Sequence, residues 1–335
     1  MVSDVVLVIL GIDVSKRTFN VTLRVGDKER SKKFSNDAAG FAQLQDWLKE
    51  WAPDGVHACM EATGRYYEAL AEFLYSAGHL VSVVNPARIK GYAQAELKRS
   101  KSDEIDAGVI ARFCQTQKPG PWEPLASEVR EVQEAERYLE ALKGMRHQES
   151  NRLGSGLASD AVKKAIEKHI EQMDSDIAEM EKWLKEHLKK HERLNEHYKL
   201  ITSVIGIGNI TAFTWLGEIG YGDGFELTRQ VESFVGLTPK KHQSGTSIRG
   251  KERLSKAGNH YLRKALYMPA ICAIQHNPVI RNFAERLREQ GKPPMVIIGA
   301  VMRKLVRIIF AVVKSGRPFD PQYPSLPRSP QPVTG

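Results

Sequence analysis

The sequence predicts an α/β domain followed by a mainly helical region, and three observations carry that expectation. A short β-branched apolar run, Val5 to Leu10, passes through Gly11 to an aspartate, Asp13. From there to Phe113, segments with strand periodicity interleave with amphipathic segments of helical period. After the breaker PGPWEP, Pro119 to Pro124, the helical period prevails.

Taken in order, Val5 to Leu10 reads as a strand buried on both faces. Asp13 at its exit stands at the rim where open α/β sheets place their sites, although an aspartate there can also simply start a turn. Phe19 to Val25 alternates as a half-exposed antiparallel strand, and Gly26-Asp27 turns the chain back through Arg30 to Phe34. Asn36 or Asp37 caps a helix whose Phe41, Leu44, Trp47 and Leu48 share one face, ended by Pro53 to Gly55. Val56 to Met60 forms a fourth strand that delivers Glu61 into the small-residue turn Ala62-Thr63-Gly64. Arg65 to Ala77 is an amphipathic helix stopped at Gly78, and Leu80 to Val84 is a fifth strand closed by Asn85-Pro86. In Leu97 to Phe113, Ser102 caps a helix with Asp103, Glu104 and Asp106 in its first turns. Asp103 and Asp106 share a helical face by their spacing, and alone they read equally well as partners of the helix dipole.

The order of these elements is that of the ribonuclease H and RuvC resolvase fold, and Asp13, Glu61, Asp103 and Asp106 form a D-E-D-D set within it. Four carboxylates at one point repel one another unless divalent cations neutralise them, and hard oxygen donors suit Mg²⁺ or Mn²⁺. Such a set clamps the attacking and leaving oxygens of a phosphodiester exchange.

The second half divides by pattern. Glu128 to Arg152 is a helix, Gly154-Ser155-Gly156 permits a reversal, and Asp160 caps a second helix. That helix keeps a heptad seam from Ile166 through Met173, Met180, His187 and Leu194 to Ile201, which predicts an antiparallel helical hairpin or coiled coil. His187 and His191, four apart on the seam, have metal-ligand spacing but no third ligand, and read as polar breaks. Val204 to Thr211, VIGIGNIT, places Gly206 and Gly208 before a helix, as in helix-hairpin-helix modules whose backbone N–H groups hold phosphate. From Pro239 to Lys264 there are eight basic residues, Lys240, Lys241, Arg249, Lys251, Arg253, Lys256, Arg263 and Lys264, against one acid, Glu252. This is a phosphate-binding face. Among its small residues lie Ser244, Thr246 and Ser247, hydroxyls that can attack phosphorus or merely bond phosphate. Within Arg253 to Met268 a basic helix is expected to start after Gly258-Asn259, and further helices at Ile271 to Phe283 and Met295 to Val313, the last with Arg303, Lys304 and Arg307 on its polar side. The predicted domains are 1–122, 123–200 and 201–317, with a disordered Pro-rich tail at 318–335.

Composition agrees with a soluble chain of two or more domains: 335 residues are 41% hydrophobic, and the formal charge of +9 favours a polyanionic partner. Cys59, Cys114 and Cys272 match no zinc spacing and read as buried thiols in a reducing compartment. No secretion signal or membrane-spanning run is evident, so the expected location is the bacterial cytoplasm, at the nucleoid when active.

The motifs GIDVSK, EATGRYYE, VNPARIKGYAQ, KSDEIDA, GIGNITA, GLTPKKHQSGTSIRG and LSKAGNHYLRKALYMPA, in this order, resemble the insertion-sequence 110 family of DEDD transposases, to which the pilin-gene inverting recombinases are related. The resemblance implies a RuvC-like domain, a coiled-coil insert and a C-terminal transposase domain with a serine nucleophile. It carries over Asp13, Glu61, Asp103 and Asp106 as metal ligands and Ser244 as the residue joined to DNA through a phosphoserine bond. It also implies target and donor DNA as substrates, a structured bridge RNA as guide, and a tetramer, a dimer of dimers, in which one subunit's carboxylates meet another's Ser244. A metal-dependent nuclease or junction resolvase using water would need the same carboxylates without the serine.

Overall fold

The computed structural model describes residues 8–26, 28–62, 64–95, 103–240, 243–244, 248–249, 253–255 and 257–322. The chain splits into two compact units, Met1–Pro124 and Leu125–Gly335.

The first unit is a five-stranded mixed sheet with helices on both faces. In chain order it runs β1 (Ile9–Val14), β2 (Thr18–Val25), β3 (Lys28–Ser35), α1 (Ala38–Trp51), β4 (His57–Glu61), α2 (Glu68–Ser76), β5 (Leu80–Val84), α3 (Pro86–Ala95) and α4 (Asp103–Gln117). The strand order is β3-β2-β1-β4-β5, with β1–β2 and β2–β3 antiparallel and β1–β4 and β4–β5 parallel. This arrangement is consistent with the nuclease-like fold that the element order predicts.

Alternation along each strand separates two cores. Leu10, Ile12, Phe19, Val21 and Leu23 face Leu44 and Leu48 of α1 and Leu70 and Leu74 of α2. Each of those leucines is fully buried and contributes about 1.5–3 kcal/mol by leaving water. On the opposite face, Ile9, Cys59 and Val84 meet Val109, Ile110 and Phe113 of α4 and Ile89 of α3.

Several expectations are corrected here. The first strand extends to Val14, so Asp13 lies within it, opposite Asn20 of β2, and not beyond its exit. β2 is buried on both faces, because α4 covers the face carrying Asn20 and Thr22 that alternation assigns to solvent. Asn85-Pro86 closes the fifth strand at Val84 as expected, and Pro86 also opens α3, where its missing N–H costs nothing. Asn85 Oδ1 accepts from Ala87 N–H at 2.9 Å at that start. Asp37 caps α1, accepting from Gly40 N–H at 2.9 Å, whereas Asn36 donates to the carbonyls of Ser15 and Tyr66.

The second unit comprises α5 (Ser127–Leu153), α6 (Asp160–Lys190), α7 (Glu192–Thr202), α8 (Asn209–Ile219), α9 (Thr228–Val235), the short strands β6 (Pro239–Lys240), β7 (Gln243–Ser244), β8 (Ile248–Arg249) and β9 (Arg253–Leu254), then α10 (His260–Ala265), α11 (Tyr267–His276), α12 (Pro278–Glu289) and α13 (Pro294–Ser315). α5 and α6 form the expected hairpin, laced by Lys143–Glu181 at 2.6 Å and Arg146–Asp174 at 2.5 Å. Its stem is not a separate body. Val129, Val132, Leu139, Leu184 and Leu188 belong to one core with Trp215 of α8 and Val301, Leu305 and Ile309 of α13.

The long seam does not lie on one helix. Extended backbone at His191 separates α6 from α7, so that Leu184 and Leu188 pack on α5 while Leu194 and Ile201 are turned into the larger core. Ser159, rather than Asp160, caps α6 through Val162 N–H. The helix expected over Ile271 to Phe283 breaks at Asn277, whose Oδ1 accepts from Val279 and Ile280 N–H while Pro278 opens α12. Cys59 and Cys114 are buried as expected, but Cys272 is exposed. Among the described residues, no helix is long and apolar enough to cross a membrane.

Candidate active site and nucleic-acid interface

Strand register brings the first two carboxylates together. Ile9 pairs with His57, Gly11 with Cys59 and Ile12 with Met60, so Glu61 is the next step of β4 as Asp13 is the next step of β1. Both positions alternate with Gly11 and Cys59, on the face covered by α4, and both side chains are half-buried.

α4 delivers the other two. A Cβ on Gly11 would collide with the backbone of Ala107 and Ala111, so only glycine lets this helix lie directly on β1. The helix runs antiparallel to the strand. Gly108 lies beside Thr22, the partner of Gly11, and Arg112 reaches 3.5 Å to Glu29, which pairs across from Arg24 near Ile9. Moving from Gly11 to Asp13 is ~6.6 Å along a strand, a distance that about four helical residues cover at ~1.5 Å each. Four residues back from the Gly11 contact lies the first turn of α4, which carries Asp103 and Asp106. Their side chains, and Ser102, the expected cap, lie outside the described residues. The sequence reading missed Asn20, which is 7% exposed and stands opposite Asp13 in the ladder. Its signal was the polar alternation of Asn20 and Thr22, which marks the α4-covered face.

Among the described residues, no group of three or more His, Cys, Asp or Glu has metal-binding geometry. His187 Nε2 lies 3.0 Å from the Glu128 carbonyl and its ring stacks on Trp183, which accounts for this polar seam position. The donor chemistry of Asp13 and Glu61, with Asp103 and Asp106 on the neighbouring helix turn, is all carboxylate oxygen and fits a hard divalent cation.

The segment bearing Ser244 is a nested hairpin in the second unit. β6 pairs with β9 and, inside it, β7 with β8, so Gln243 stands opposite Arg249 and Ser244 opposite Ile248. Its base is pinned to the helices: Ser255 N–H donates to Thr238 carbonyl at 2.9 Å, Asn259 N–H to Phe234 carbonyl at 2.7 Å, and the Arg263 guanidinium to Val235 carbonyl at 3.0 Å. Lys241, Lys251 and Lys256, and the side chains of Lys240, Ser244, Arg249 and Arg253, lie outside the described residues. Lys264 is exposed and pairs with Glu140 at 2.6 Å.

Gly206, at φ +102°, turns the chain between α7 and α8 and passes so close to Ala273 that a side chain would not fit. Gly208 precedes α8, and no side chain caps that helix. Both glycines line a groove of about 950 Å³ whose walls carry Lys143, Lys185 and Lys264 but also Glu136, Glu140 and Glu181, with Lys143 paired to Glu181 and Lys264 to Glu140. Arg303 and Arg307 lie on the polar side of α13 as expected, and both are engaged in an ion pair. Both bind Glu232 of α9, whose side chain is 1% exposed.

Two transposase family models match the chain. One, the DEDD transposase model of the IS110 group, covers residues 10–159, and the other, described as transposase of the IS116/IS110/IS902 family, covers residues 198–285. The chain is 32% identical over 318 residues to the pilin gene-inverting protein of Moraxella bovis, covering 93% of this chain and 97% of that one. It is 23% identical over 351 residues to the transposase for insertion sequence element IS1328 of Yersinia enterocolitica, covering 93% and 98%. The chain belongs to the IS110 family of transposases, enzymes that act on DNA to recombine it.

Proposed function

We propose that this transposase cuts and exchanges DNA strands through a 5′-phosphoserine link at Ser244, with Asp13, Glu61, Asp103 and Asp106 as the carboxylate set, under the guidance of a structured bridge RNA. The observation that carries the reading is that Asp13 and Glu61 each follow the last pair of the β1–β4 ladder, Ile12 with Met60, on the sheet face that α4 covers. These four residues would hold Mg²⁺ or Mn²⁺, which when bound offsets negative charge on the phosphodiester. Carboxylates gathered without a counter-charge would instead take up protons.

The serine supplies what hydrolysis does not. Strand exchange requires that the energy of the broken phosphodiester be kept, and a serine phosphodiester keeps it. Ser244 on a two-stranded ladder, in a segment dense in lysine and arginine, suits a hydroxyl offered to a polyanion. The Gly206–Gly208 turn, at a helix start that no side chain caps, suits sequence-independent grip on backbone phosphate. With no groove-reading module recognisable in the sequence, base pairing by the guide RNA would read the sequence and the protein would hold shape and backbone. The carboxylate set and Ser244 fall in separate compact units, which accords with the tetrameric assembly that the resemblance implies.

The test of the carboxylate set is strand cleavage with and without chelator. Asp13→Asn or Glu61→Gln should abolish cleavage while leaving the melting temperature within a few degrees, and added Mg²⁺ or Mn²⁺ should restore the chelated wild type. Full cleavage in chelator would remove the metal reading.

A further inference from the structure

We infer that Asn259 and Glu218 are positioning residues for the Ser244 hairpin, fixing its base to the α5–α8 helix pair; the inference rests on the proposed role of Ser244. The observation is a continuous polar chain through the core. Arg137 of α5 grips Glu218 of α8 with two bonds, Nε to Oε1 at 2.7 Å and NH2 to Oε2 at 3.0 Å. Glu218 has a side chain 2% exposed, and its Oε2 also accepts from Asn259 Nδ2 at 2.5 Å. Asn259 is committed at every polar group. Its Oδ1 caps α10 at Leu262 N–H, 3.0 Å away, and its backbone N–H donates to Phe234 carbonyl at the end of α9. The cap fixes which way the amide points: Oδ1 faces the helix, so the NH₂ group must face the carboxylate.

The chain ends where the hairpin begins and where it returns. Phe234 is four residues before the stem at Thr238, and Asn259 is four residues after Ser255, the other side of that stem. Gly258, at φ +150°, passes so close to the Phe234 carbonyl and Gly236 that no side chain fits between the two strands of the base. Asn259 thus joins the returning chain to the outgoing one through its backbone N–H, and the buried Glu218 ties that junction to α8. Arg137 also stacks over Tyr261, 4.9 Å from the ring centroid, which keeps α10 in line with α5. A charge-assisted bond to a buried carboxylate is short and directional, which suits a part that must hold a nucleophile in register.

Asn259→Ser separates the two duties, because serine still caps α10 but is too short to reach Glu218. In the full-length protein it should speed trypsin cleavage after Lys240, Arg249 and Arg253 about tenfold, as loss of one charge-assisted bond predicts, with sites in α5 and α6 unchanged. With guide RNA and DNA present, the rate of protein–DNA adduct formation should fall about tenfold at saturating DNA while DNA affinity holds. Glu218→Gln, which keeps an acceptor for Asn259 but loses the charge, should lie between wild type and Asn259→Ser in both measurements, and decides the matter if Asn259→Ser does not fold. Unchanged trypsin cleavage of the folded variants would overturn the coupling. Faster cleavage with an unchanged adduct rate would overturn the positioning role. Because proteolysis needs no chemistry at Ser244, a Ser244→Ala background giving the same trypsin pattern separates failure of this inference from failure of the serine assignment.

Discussion

Gly11 of β1 lies against the Ala107 carbonyl of α4 with no room for a methyl group between them. This contact sets the height of the acidic helix turn above Asp13. Gly11→Ala should force α4 away, cost about 1–3 kcal/mol by overpacking, and reduce strand cleavage by about 100-fold through a displacement near 1 Å. Gly91→Ala, in α3 with open space around it, should by contrast leave stability unchanged or raise it by up to ~1 kcal/mol. Thermal unfolding and a cleavage assay on both variants check the contrast.

Glu136 is a carboxyl that the fold prefers neutral. Burial pushes its pKa up to about 7, more than the hydrogen bond from Thr214 lowers it. Thr214 Oγ1 also lies 2.9 Å from the Ile210 carbonyl, and with a single proton it can serve both only if Glu136 is itself the donor. Below the ordinary value of 4.5 both folded and unfolded states are protonated. As pH rises from there to about 7 the unfolded state ionises first, so stability declines over that window. Glu136→Gln should remove this decline, adding roughly 2–3 kcal/mol at pH 8 and little at pH 4.5. Denaturant melts at the two pH values test it.

Glu232 behaves in the opposite sense. Burial alone would raise its pKa, but hydrogen bonds from Arg307 and Arg303 overcome that and hold it below the ordinary carboxylate value. Its contribution is therefore present above the unfolded pKa and is lost as pH falls through the depressed folded one. Glu232→Gln should cost roughly 2 kcal/mol at neutral pH, discounted because both arginines reach solvent, and should flatten the acid limb of the stability profile. Arg303→Gln should likewise lower stability without altering the salt dependence of DNA binding.

Binding to nucleic acid should weaken steeply with salt. The contribution is assigned to the segment from Pro239 to Lys264 rather than to α13. Neutralising Lys241, Arg249 and Lys251 one at a time should each reduce the slope of log affinity against log salt by about one. An unchanged slope across the three would contradict a phosphate-binding face there.

What was legible in the sequence was what local pattern dictates. Leu80 to Val84 forms the strand that its apolar run predicts, and Ser127–Leu153 forms the predicted helix to within a residue. The carboxylate order was legible because strand ends and helix starts carry their own punctuation. What local pattern does not contain was missed. The bounds of β1 follow from its pairing with Phe19 to Arg24, not from where its apolar run stops. The burial of Asn20 and Thr22 depends on α4, some eighty residues away along the chain. The partner of Arg303 and Arg307 is a buried glutamate on another helix, so part of a polar helix face is engaged in an ion pair that its own pattern does not reveal. The role of Asn259 as cap could be guessed from Gly258-Asn259, but its link to Glu218 exists only in three dimensions.

The most direct test of the account is a denaturing gel of the protein incubated with guide RNA and labelled target and donor DNA. Wild type should give a protein-linked DNA strand that disappears on protease treatment, Ser244→Ala should give none while still binding RNA, and Ser247→Ala should retain some. Cleavage by Ser244→Ala at the wild-type rate, with free ends and no adduct, would contradict the covalent mechanism and leave a nuclease that uses water.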